Sequence, residues 1–312
     1  MSLGVAHTGK ENPGASAIAD KGWLGAHKWL LLRRLAQVAF LGVFLTGPWL
    51  GLWIAEGNLS SSLTFGVLPL TDPYLLLQSL AAGHAVAGTA VLGAGIVAAA
   101  YLLIGGRMYC SWVCPINPVT DAARVLRRRL GFGKGWQPKR TTRLWLLAVT
   151  LIVSALTGTI AWEVVNPVSM AHRAVIFGVG LAWAIVLAVF LFDAFVSRDG
   201  WCGHLCPVGG FYGLLGLRSL LRVKAARRQD CDDCMDCYAV CPEPQVITPA
   251  LKGEARGAGP IILSHDCTNC GRCIDVCSKD VYHFAWRFDD KVDLVAQGAA
   301  KGAAAEQRRN AA

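Results

Sequence analysis

The stretch CDDCMDCYAVCP at residues 231–242 decides how the C-terminal part of this chain folds. Its four cysteines are separated by two, two and three residues, and a near-copy, CTNCGRCIDVCS, follows at 267–278. Three cysteines at this close spacing with a fourth three residues on form the run that bacterial-type [4Fe–4S] proteins use, whereas zinc sites usually show two separated CxxC pairs. The two runs therefore predict two [4Fe–4S] clusters, with zinc as the alternative.

The fourth cysteine of each run lies too far along the chain to close the cube that its own run surrounds, so it ligates the other cluster. We expect one cluster on Cys231, Cys234, Cys237 and Cys277, and the other on Cys267, Cys270, Cys273 and Cys241. Two neighbouring clusters accept one electron each, which suits an electron wire that serves a two-electron donor. Cysteines in such short clusters also favour a reducing compartment over disulfide bonds.

The rest of the chain is apolar. Its 312 residues are 54% hydrophobic and 16% charged, against about 25% charged in soluble proteins. Four stretches have the roughly 20 apolar residues that cross a bilayer, namely Leu35–Ala55, His84–Ile104, Leu144–Trp162 and Ala174–Val196. Burial within a large soluble core is the alternative, but soluble cores rarely contain four such runs. A further apolar segment, 63–82, is interrupted by prolines and predicts an interfacial or re-entrant element.

Loops rich in lysine and arginine alternate along the chain with loops that contain almost none. Five precede the first span, none lies in 56–83, nine lie in 105–143, one lies in 163–173 and fifteen follow the fourth span. The positive-inside rule then predicts that both termini are cytoplasmic and that the chain is a multi-pass protein of the bacterial inner membrane. Basic loops that face anionic lipid account for the net charge of +9 without nucleic acid.

The apolar region repeats itself. GGRMYCSWVCPINP at 105–118 and SRDGWCGHLCPVGG at 197–210 each follow an inward-going span. We therefore predict a membrane α-helical protein with four transmembrane helices in two tandem hairpin repeats and a cytoplasmic ferredoxin-like domain with two [4Fe–4S] clusters. The expected divisions are a cytoplasmic tail 1–33, disordered over its first twenty residues, a transmembrane domain 34–228, a ferredoxin domain 229–290 and a flexible tail 291–312.

The two CxxxCP motifs contribute Cys110 and Cys114 from one repeat and Cys202 and Cys206 from the other. Four thiolates near one face of the membrane could close a shared metal or cluster site between the repeats. They could instead act as redox thiols, dock a partner, or be structural cysteines beside a proline turn. His204, inside the second motif, is a candidate ligand or proton carrier.

Ionisable groups at membrane depth are functional candidates. His84, Glu163, Asn166 and His172 lie at predicted outer span ends, and Asp193 lies near an inner one. A quinol sheds two protons as it gives up two electrons, so a carboxylate or histidine beside its oxygens is required. We expect His84 and Glu163 to fill this role, with residues satisfied by water and head groups as the alternative.

Four stretches carry a resemblance to a known family: KGWLGAHKWLLLRR at 21–34, GNLSSSL at 57–63, NPVSMAHR at 166–173 and DGWCGHLCP at 199–207. With the four spans and the cysteine runs, they resemble the NapH family, the membrane-embedded ferredoxin-type subunits of periplasmic nitrate reductase systems, over about residues 20–290. The resemblance implies a quinol dehydrogenase component that acts with a periplasmic iron–sulfur subunit, NapG, and passes electrons through a c-type cytochrome. It supports all twelve cysteines as functional positions and indicates no quinol site.

The predicted topology places the clusters inside, whereas nitrate is reduced outside, so an electron path must cross the bilayer. The CxxxCP motifs lie on that path. Two other functions are an iron–sulfur accessory factor for a respiratory oxidase or nitrous oxide reductase, and a membrane redox sensor. Both would need an additional domain, and we expect none in the 35 residues after Cys277.

Overall fold

The structure is a computed structural model that describes residues 12–133, 135–178 and 180–289. An apolar helical base carries a small domain built around one two-stranded sheet. The helices are α1 Ala15–Gly25, α2 Lys28–Leu50, α3 Pro73–Ala81, α4 Gly88–Ile104, α5 Met108–Trp112, α6 Ile116–Arg129, α7 Thr142–Thr157, α8 Pro167–Phe177, α9 Gly180–Leu191, α10 Pro207–Leu215, α11 Asp236–Val240, α12 Ile247–Lys252 and α13 Arg272–Asp275. The strands are β1 Ala55–Gly57, β2 Ser61–Thr64, β3 Leu68–Thr71, β4 Leu221–Lys224 and β5 His283–Trp286.

One helix of the described chain, α2, is long and apolar enough to cross a membrane, with a mean hydropathy of 1.5 over its best window. Three shorter apolar helices are present at Gly88–Ile104, Thr142–Thr157 and Ala182–Val196. Four apolar helices therefore exist where spans were predicted, and one of them meets the length criterion. The four-span arrangement stays a prediction.

Glycines in the left-handed conformation shorten two of the predicted spans. The first, Leu35–Ala55, is helical only to Leu50, because Gly51 has a φ of 72° and β1 follows. The fourth, Ala174–Val196, is divided at Gly178, whose φ of 67° ends α8. A residue with a Cβ adopts this conformation at a cost, and glycine adopts it freely. These two boundary predictions were wrong because single glycines do not change the hydropathy of a window.

The other two predicted spans differ at one end each. His84–Ile104 is helical only from Gly88. Leu144–Trp162 stops being α-helical at Thr157, and a 3₁₀ turn, Ala161–Val164, follows.

The segment between α2 and α4 folds back into the base. Strands β1, β2 and β3 form an antiparallel sheet, and β3 packs on α4 at Gly93, where an added Cβ would lie 2.9 Å from the carbonyl oxygen of Pro69. The hydroxyls of Tyr74 on α3 and Thr150 on α7 are 2.6 Å apart. Since Thr150 lies halfway along α7, the start of α3 lies beside the middle of that helix.

Helices α3 and α8 begin in the same way. Asp72 and Asn166 are their N-caps, and each side chain accepts a hydrogen bond from the backbone N–H two residues on. A proline follows each cap at the first helical position, where its missing N–H has no intrahelical partner to lose. The internal repeat of the sequence therefore extends to two short capped helices.

The C-terminal domain is held to the start of the first long helix. The backbone N–H groups of Trp29 and Leu30 both donate to the carboxylate of Asp275 at 3.0 Å, which caps α2 from the other domain. Helix α1 precedes this contact, and Gly14 N donates to Asp236. The expectation of disorder over the first twenty residues is wrong from Gly14 onwards, and residues 1–11 and the tail 291–312 lie outside the described residues.

Candidate functional site

Four cysteines surround the first cavity of the C-terminal domain. The space between them is lined by Cys231, Cys234, Cys237 and Cys277. Two groups approach their sulfurs. The hydroxyl of Tyr282 donates to Cys237 Sγ at 3.6 Å, and Val281 N donates to Cys277 Sγ at 3.5 Å.

The other four cysteines of this domain surround a second cavity. It is lined by Cys241, Cys267, Cys270 and Cys273. Glu243, two residues after Cys241, and Arg272 also line it. The structure thus brings together the same two sets of four cysteines that the spacing predicts.

Tight turns between the cysteines produce this arrangement. Asp233 and Met235 have φ values of 59° and 63°, and Asn269 and Gly271 have values of 48° and 71°. Left-handed residues reverse the local direction of the chain, and aspartate, asparagine and glycine adopt this conformation more readily than other residues. Each loop therefore curls around its cavity and turns successive thiols towards one space.

The two cavities fit iron–sulfur clusters. A zinc ion bonded to four thiolates at about 2.3 Å leaves no open space between its ligands, whereas a cluster of several atoms fills such a space. Within the described ranges, no three cysteine, histidine, aspartate or glutamate side chains gather closely enough to hold a single metal ion. Four sulfurs around an open cavity suit a polynuclear group.

A buried network of charges joins the second cavity to the base. Glu243 accepts from Arg107 at 2.8 Å and also pairs with Arg140 and Arg143. Arg143 contacts Asp266 as well. Burial by itself would raise the pKa of Asp266, but the guanidiniums of Arg143 and Arg107 lower it overall. Asp266 therefore stays ionised, and arginines of the base hold both carboxylates.

The structure also brings the four CxxxCP cysteines together. Cys110 lies on α5 and Cys114 follows that helix, whereas Cys202 lies in a π-helical turn, Trp201–Leu205, and Cys206 caps α10. Each thiol interacts electrostatically with the other three. Burial raises the pKa of all four, that of Cys206 to about 12. Without a metal they are neutral thiols, and a bound metal would convert them to thiolates.

A third cavity lies between this thiol group and the second cysteine cavity. Cys110, Cys202 and Cys270 all contribute to its walls. Ser111 Oγ donates to the carbonyl of Thr268 at 2.7 Å, and Trp112 Nε1 donates to that of Asn269 at 3.1 Å. Ser111, which follows Cys110, is thus hydrogen-bonded to Thr268, which follows Cys267. The CxxxCP cysteines and the cysteines of the second cavity are therefore neighbours.

His204 and Asp193 lie beside these centres in different ways. His204 is buried, and its Nδ1 makes no hydrogen bond with any described residue. Burial lowers the pKa of His204, although Glu243 opposes the shift, so the ring is neutral at pH 7. Asp193 accepts a hydrogen bond from Trp201 N at 2.9 Å and so orients the turn that carries Cys202.

The predicted quinol pair is placed at the far end of the base from the C-terminal domain. His84 is exposed, and its ring N–H donates to the carbonyl of Gly158 at 3.0 Å. Glu163 is half-buried and accepts from Asn166 Nδ2 at 3.1 Å. Among the described residues, no hydrogen bond joins His84 to Glu163. His172 is buried with its ring edge against Phe44.

Asp72 is a candidate functional residue that the sequence analysis did not predict. Its Oδ1 accepts from Tyr74 N at 3.0 Å and from the hydroxyl of Tyr212 at 3.1 Å. Burial raises the pKa of Asp72 to about 6 against these two hydrogen bonds, and Glu163 adds to the rise. The available signal was an aspartate–proline pair inside an apolar segment, at the position where the second repeat has asparagine–proline.

Comparisons with known proteins agree with the cysteine chemistry. A family model described as a 4Fe-4S binding domain matches residues 86–133 and 176–226, and one described as a 4Fe-4S dicluster domain matches 230–281. The methylamine utilization ferredoxin-type protein MauN of Paracoccus denitrificans (strain Pd 1222) is 59% identical over 80% of this chain and 88% of its own. No solved structure matches the chain.

Two proteins named NapH are also similar to this chain. The ferredoxin-type protein NapH of Escherichia coli (strain K12) is 50% identical over 89% of this chain and 96% of its own length. NapH of Haemophilus influenzae (strain ATCC 51907 / DSM 11121 / KW20 / Rd) is 45% identical over 86% of this chain and 93% of its own.

Proposed function

Since this chain belongs to the family of ferredoxin-type proteins named NapH and MauN, we propose that it is a membrane electron-transfer subunit that takes part in quinol oxidation. The chain is a ferredoxin-type electron-transfer protein with 4Fe-4S domains. One observation carries the proposal, namely three contiguous groups of four cysteines, one of which lies in the apolar base. Such a series gives electrons a route from the base to the C-terminal domain.

The base is proposed to lie in the inner membrane as four helices with both termini in the cytoplasm. Four apolar helices and the alternation of basic loops support this arrangement. The C-terminal domain would then lie on the cytoplasmic side, where the arginines around Glu243 and Asp266 hold it against the base.

Two [4Fe–4S] clusters are proposed for the C-terminal domain. Cys231, Cys234, Cys237 and Cys277 would hold one, and Cys267, Cys270, Cys273 and Cys241 would hold the other. When bound, such clusters accept and release single electrons. The protein's own residues supply thiolate ligands, donors to the sulfurs of Cys237 and Cys277, and a cover of apolar side chains that excludes water.

A further metal or cluster is proposed for Cys110, Cys114, Cys202 and Cys206. Their assembly from both repeats supports a shared site, as does the match of both segments to a model described as a 4Fe-4S binding domain. Redox thiols or a docking site remain the alternative use of these cysteines, and iron analysis of Cys202→Ser separates the two.

The pathway served is proposed from the relatives. The NapH relatives favour periplasmic nitrate reduction, with a NapG-like iron–sulfur subunit and a c-type cytochrome as partners. The MauN relative has the higher identity and favours electron transfer in methylamine utilization as a second candidate. A role as an accessory factor for a respiratory oxidase or nitrous oxide reductase is the third.

Cluster reduction in membranes tests the central proposal. Anaerobic membranes that contain the full chain are mixed with a quinol analogue, and cluster reduction is followed by electron paramagnetic resonance, with and without a NapG-like subunit. We expect reduction by the quinol and full reduction by dithionite. Reduction by dithionite alone, in both preparations, would favour the accessory role.

A further inference from the structure

A chain of aromatic and acidic side chains connects the interior of the base with the CxxxCP cysteines. Tyr212 on α10 donates its hydroxyl to Asp72 at 3.1 Å. The ring of Tyr212 stacks on that of Tyr109, with centroids 4.8 Å apart and planes 16° apart, and Tyr101 packs edge-on against both rings. Tyr109 directly precedes Cys110 in the sequence. This row of contacting side chains therefore runs from the Asp72 carboxylate at the start of α3 to the shared thiol group.

Asp72 has one oxygen left for a ligand. Both of its hydrogen bonds from described residues go to Oδ1, and Oδ2 receives none from them. The residue is half-buried, and Tyr74, two residues on, reaches Thr150 in the middle of α7. A carboxylate in an apolar interior needs a reason to be there, and an open acceptor oxygen suits a ligand that carries a hydroxyl.

The same helix carries a second, independent indication of a ligand. Gln78 is fully buried and Trp162 is 7% exposed, yet Gln78 Nε2 and Trp162 Nε1 have no hydrogen-bond partner among the described residues. The two side chains are adjacent, since Trp162 N donates to Gln78 Oε1 at 3.0 Å. Buried donors without partners are costly, and an oxygen acceptor would satisfy them. Gln78 lies roughly 9 Å along α3 from Asp72.

We infer that Asp72 is the proton acceptor of a quinol site, with Gln78 and Trp162 as donors to the ring oxygen at its other end. The inference rests on the proposed function and assigns a site to it. As the quinol becomes a quinone, its two O–H bonds break in succession. The hydroxyl that faces Asp72 gives its proton to Oδ2, and the hydroxyl at the other end gives its proton to Glu163, the half-buried carboxylate that follows Trp162 in the sequence and interacts with Asp72. The two electrons pass singly to the iron–sulfur centres beyond Tyr109.

The site has a defined pH dependence. The titratable groups that face Asp72 are Glu163 and the phenols of Tyr74, Tyr101, Tyr109 and Tyr212. Burial raises the pKa of the phenols of Tyr74, Tyr109 and Tyr212, so these three stay neutral at pH 7. Only ionised Asp72 accepts a proton. We therefore expect the rate of quinol oxidation to fall as the pH drops through about 6.

Asp72→Asn tests the inference cleanly. Asparagine caps a helix as well as aspartate does and still accepts from Tyr212, but it takes up no proton at pH 7. Asn166 already fills the same position before Pro167 in the second repeat. We expect quinol-driven cluster reduction in membranes to slow by about 100-fold or more. Dithionite-reducible clusters and iron content should not change, and Glu56→Gln, on exposed β1, should behave as wild type.

Tyr212→Phe provides a second readout. It removes the hydroxyl that stabilises ionised Asp72, so the acid limb of the pH–rate profile should move to higher pH, with a rate loss of about tenfold or less. Asp72→Asn with a wild-type rate and profile, or Tyr212→Phe with an unmoved acid limb, would overturn the inference. Wild-type clusters that dithionite reduces and quinol does not would instead remove the proposed function, and this site with it.

Discussion

Tyr282 shows how one side chain can tune an electron carrier. Its hydroxyl donates to Cys237 Sγ in the first cavity of the C-terminal domain, and no tyrosine is among the described residues that line the second cavity. Hydrogen bonds to the ligand sulfurs stabilise the reduced, more negative form of a cluster and so raise its reduction potential. The two clusters should therefore differ in potential by more than their ligands imply.

Tyr282→Phe tests this difference. Loss of a hydrogen bond worth about 1 kcal/mol should lower the potential of the cluster on Cys231, Cys234, Cys237 and Cys277 by about 40 mV. A redox titration followed by electron paramagnetic resonance measures the shift. The other cluster in the same sample is the internal control, and equal shifts in both would contradict the argument.

At the same scale, the acid groups differ in what their surroundings allow. His84 is exposed and bonded to a backbone carbonyl, which suits an anchor at the end of α4 better than a proton acceptor. Asp72 Oδ2 receives no hydrogen bond from the described residues, and the hydroxyl of Tyr212 holds the carboxylate in position through Oδ1. Glu163, the other member of the predicted pair, keeps a role as the neighbour of Asp72.

At the scale of elements, the folded-back segment depends on close backbone contacts. Strand β3 approaches α4 where Gly93 has no side chain, and α3 then continues along α7. This contact places Asp72 inside the base. A larger residue at 93 would push β3, and the start of α3 with it, away from the tyrosines.

Gly93→Ala and Gly95→Ala form a matched pair on α4. A Cβ at 93 would lie 2.9 Å from the oxygen and 3.0 Å from the carbon of the Pro69 carbonyl, whereas a Cβ at 95 meets nothing within 4 Å. We expect Gly93→Ala to destabilise the protein by about 1–3 kcal/mol and Gly95→Ala to stabilise it slightly. Apparent melting temperatures in detergent give the comparison, and equal effects would show that β3 does not press on α4.

At the scale of the whole molecule, a buried network of charges helps to join the domain to the base. Glu243 is 1% exposed and lies between Arg107, Arg140 and Arg143 of the base. The same contacts hold the second cysteine cavity beside Cys110 and Cys202. Electron transfer between the two parts therefore depends on an ion network.

Glu243→Gln should loosen this joint. Loss of the Glu243 charge leaves the buried guanidinium of Arg107 without its salt-bridge partner, a loss of about 3–5 kcal/mol. We expect faster proteolysis between the base and the C-terminal domain and slower cluster reduction by quinol, with two clusters still bound. Glu254→Gln, which removes the charge of an exposed carboxylate paired with Arg228 within the C-terminal domain, is the control. An unchanged cleavage rate in Glu243→Gln would show that other contacts hold the domain.

The sequence by itself determined what is local in this protein. The cysteine gaps predicted two groups of four thiols, because a gap of two or three residues limits which sulfurs can face one space. Hydropathy located the apolar helices, but not the glycines that end them. The tertiary structure decided which local pieces meet: Asp72 with Tyr212, 140 residues away, and Cys110 with Cys270. Such contacts depend on how helices pack, and packing is set by many weak interactions across the chain rather than by spacing within a motif.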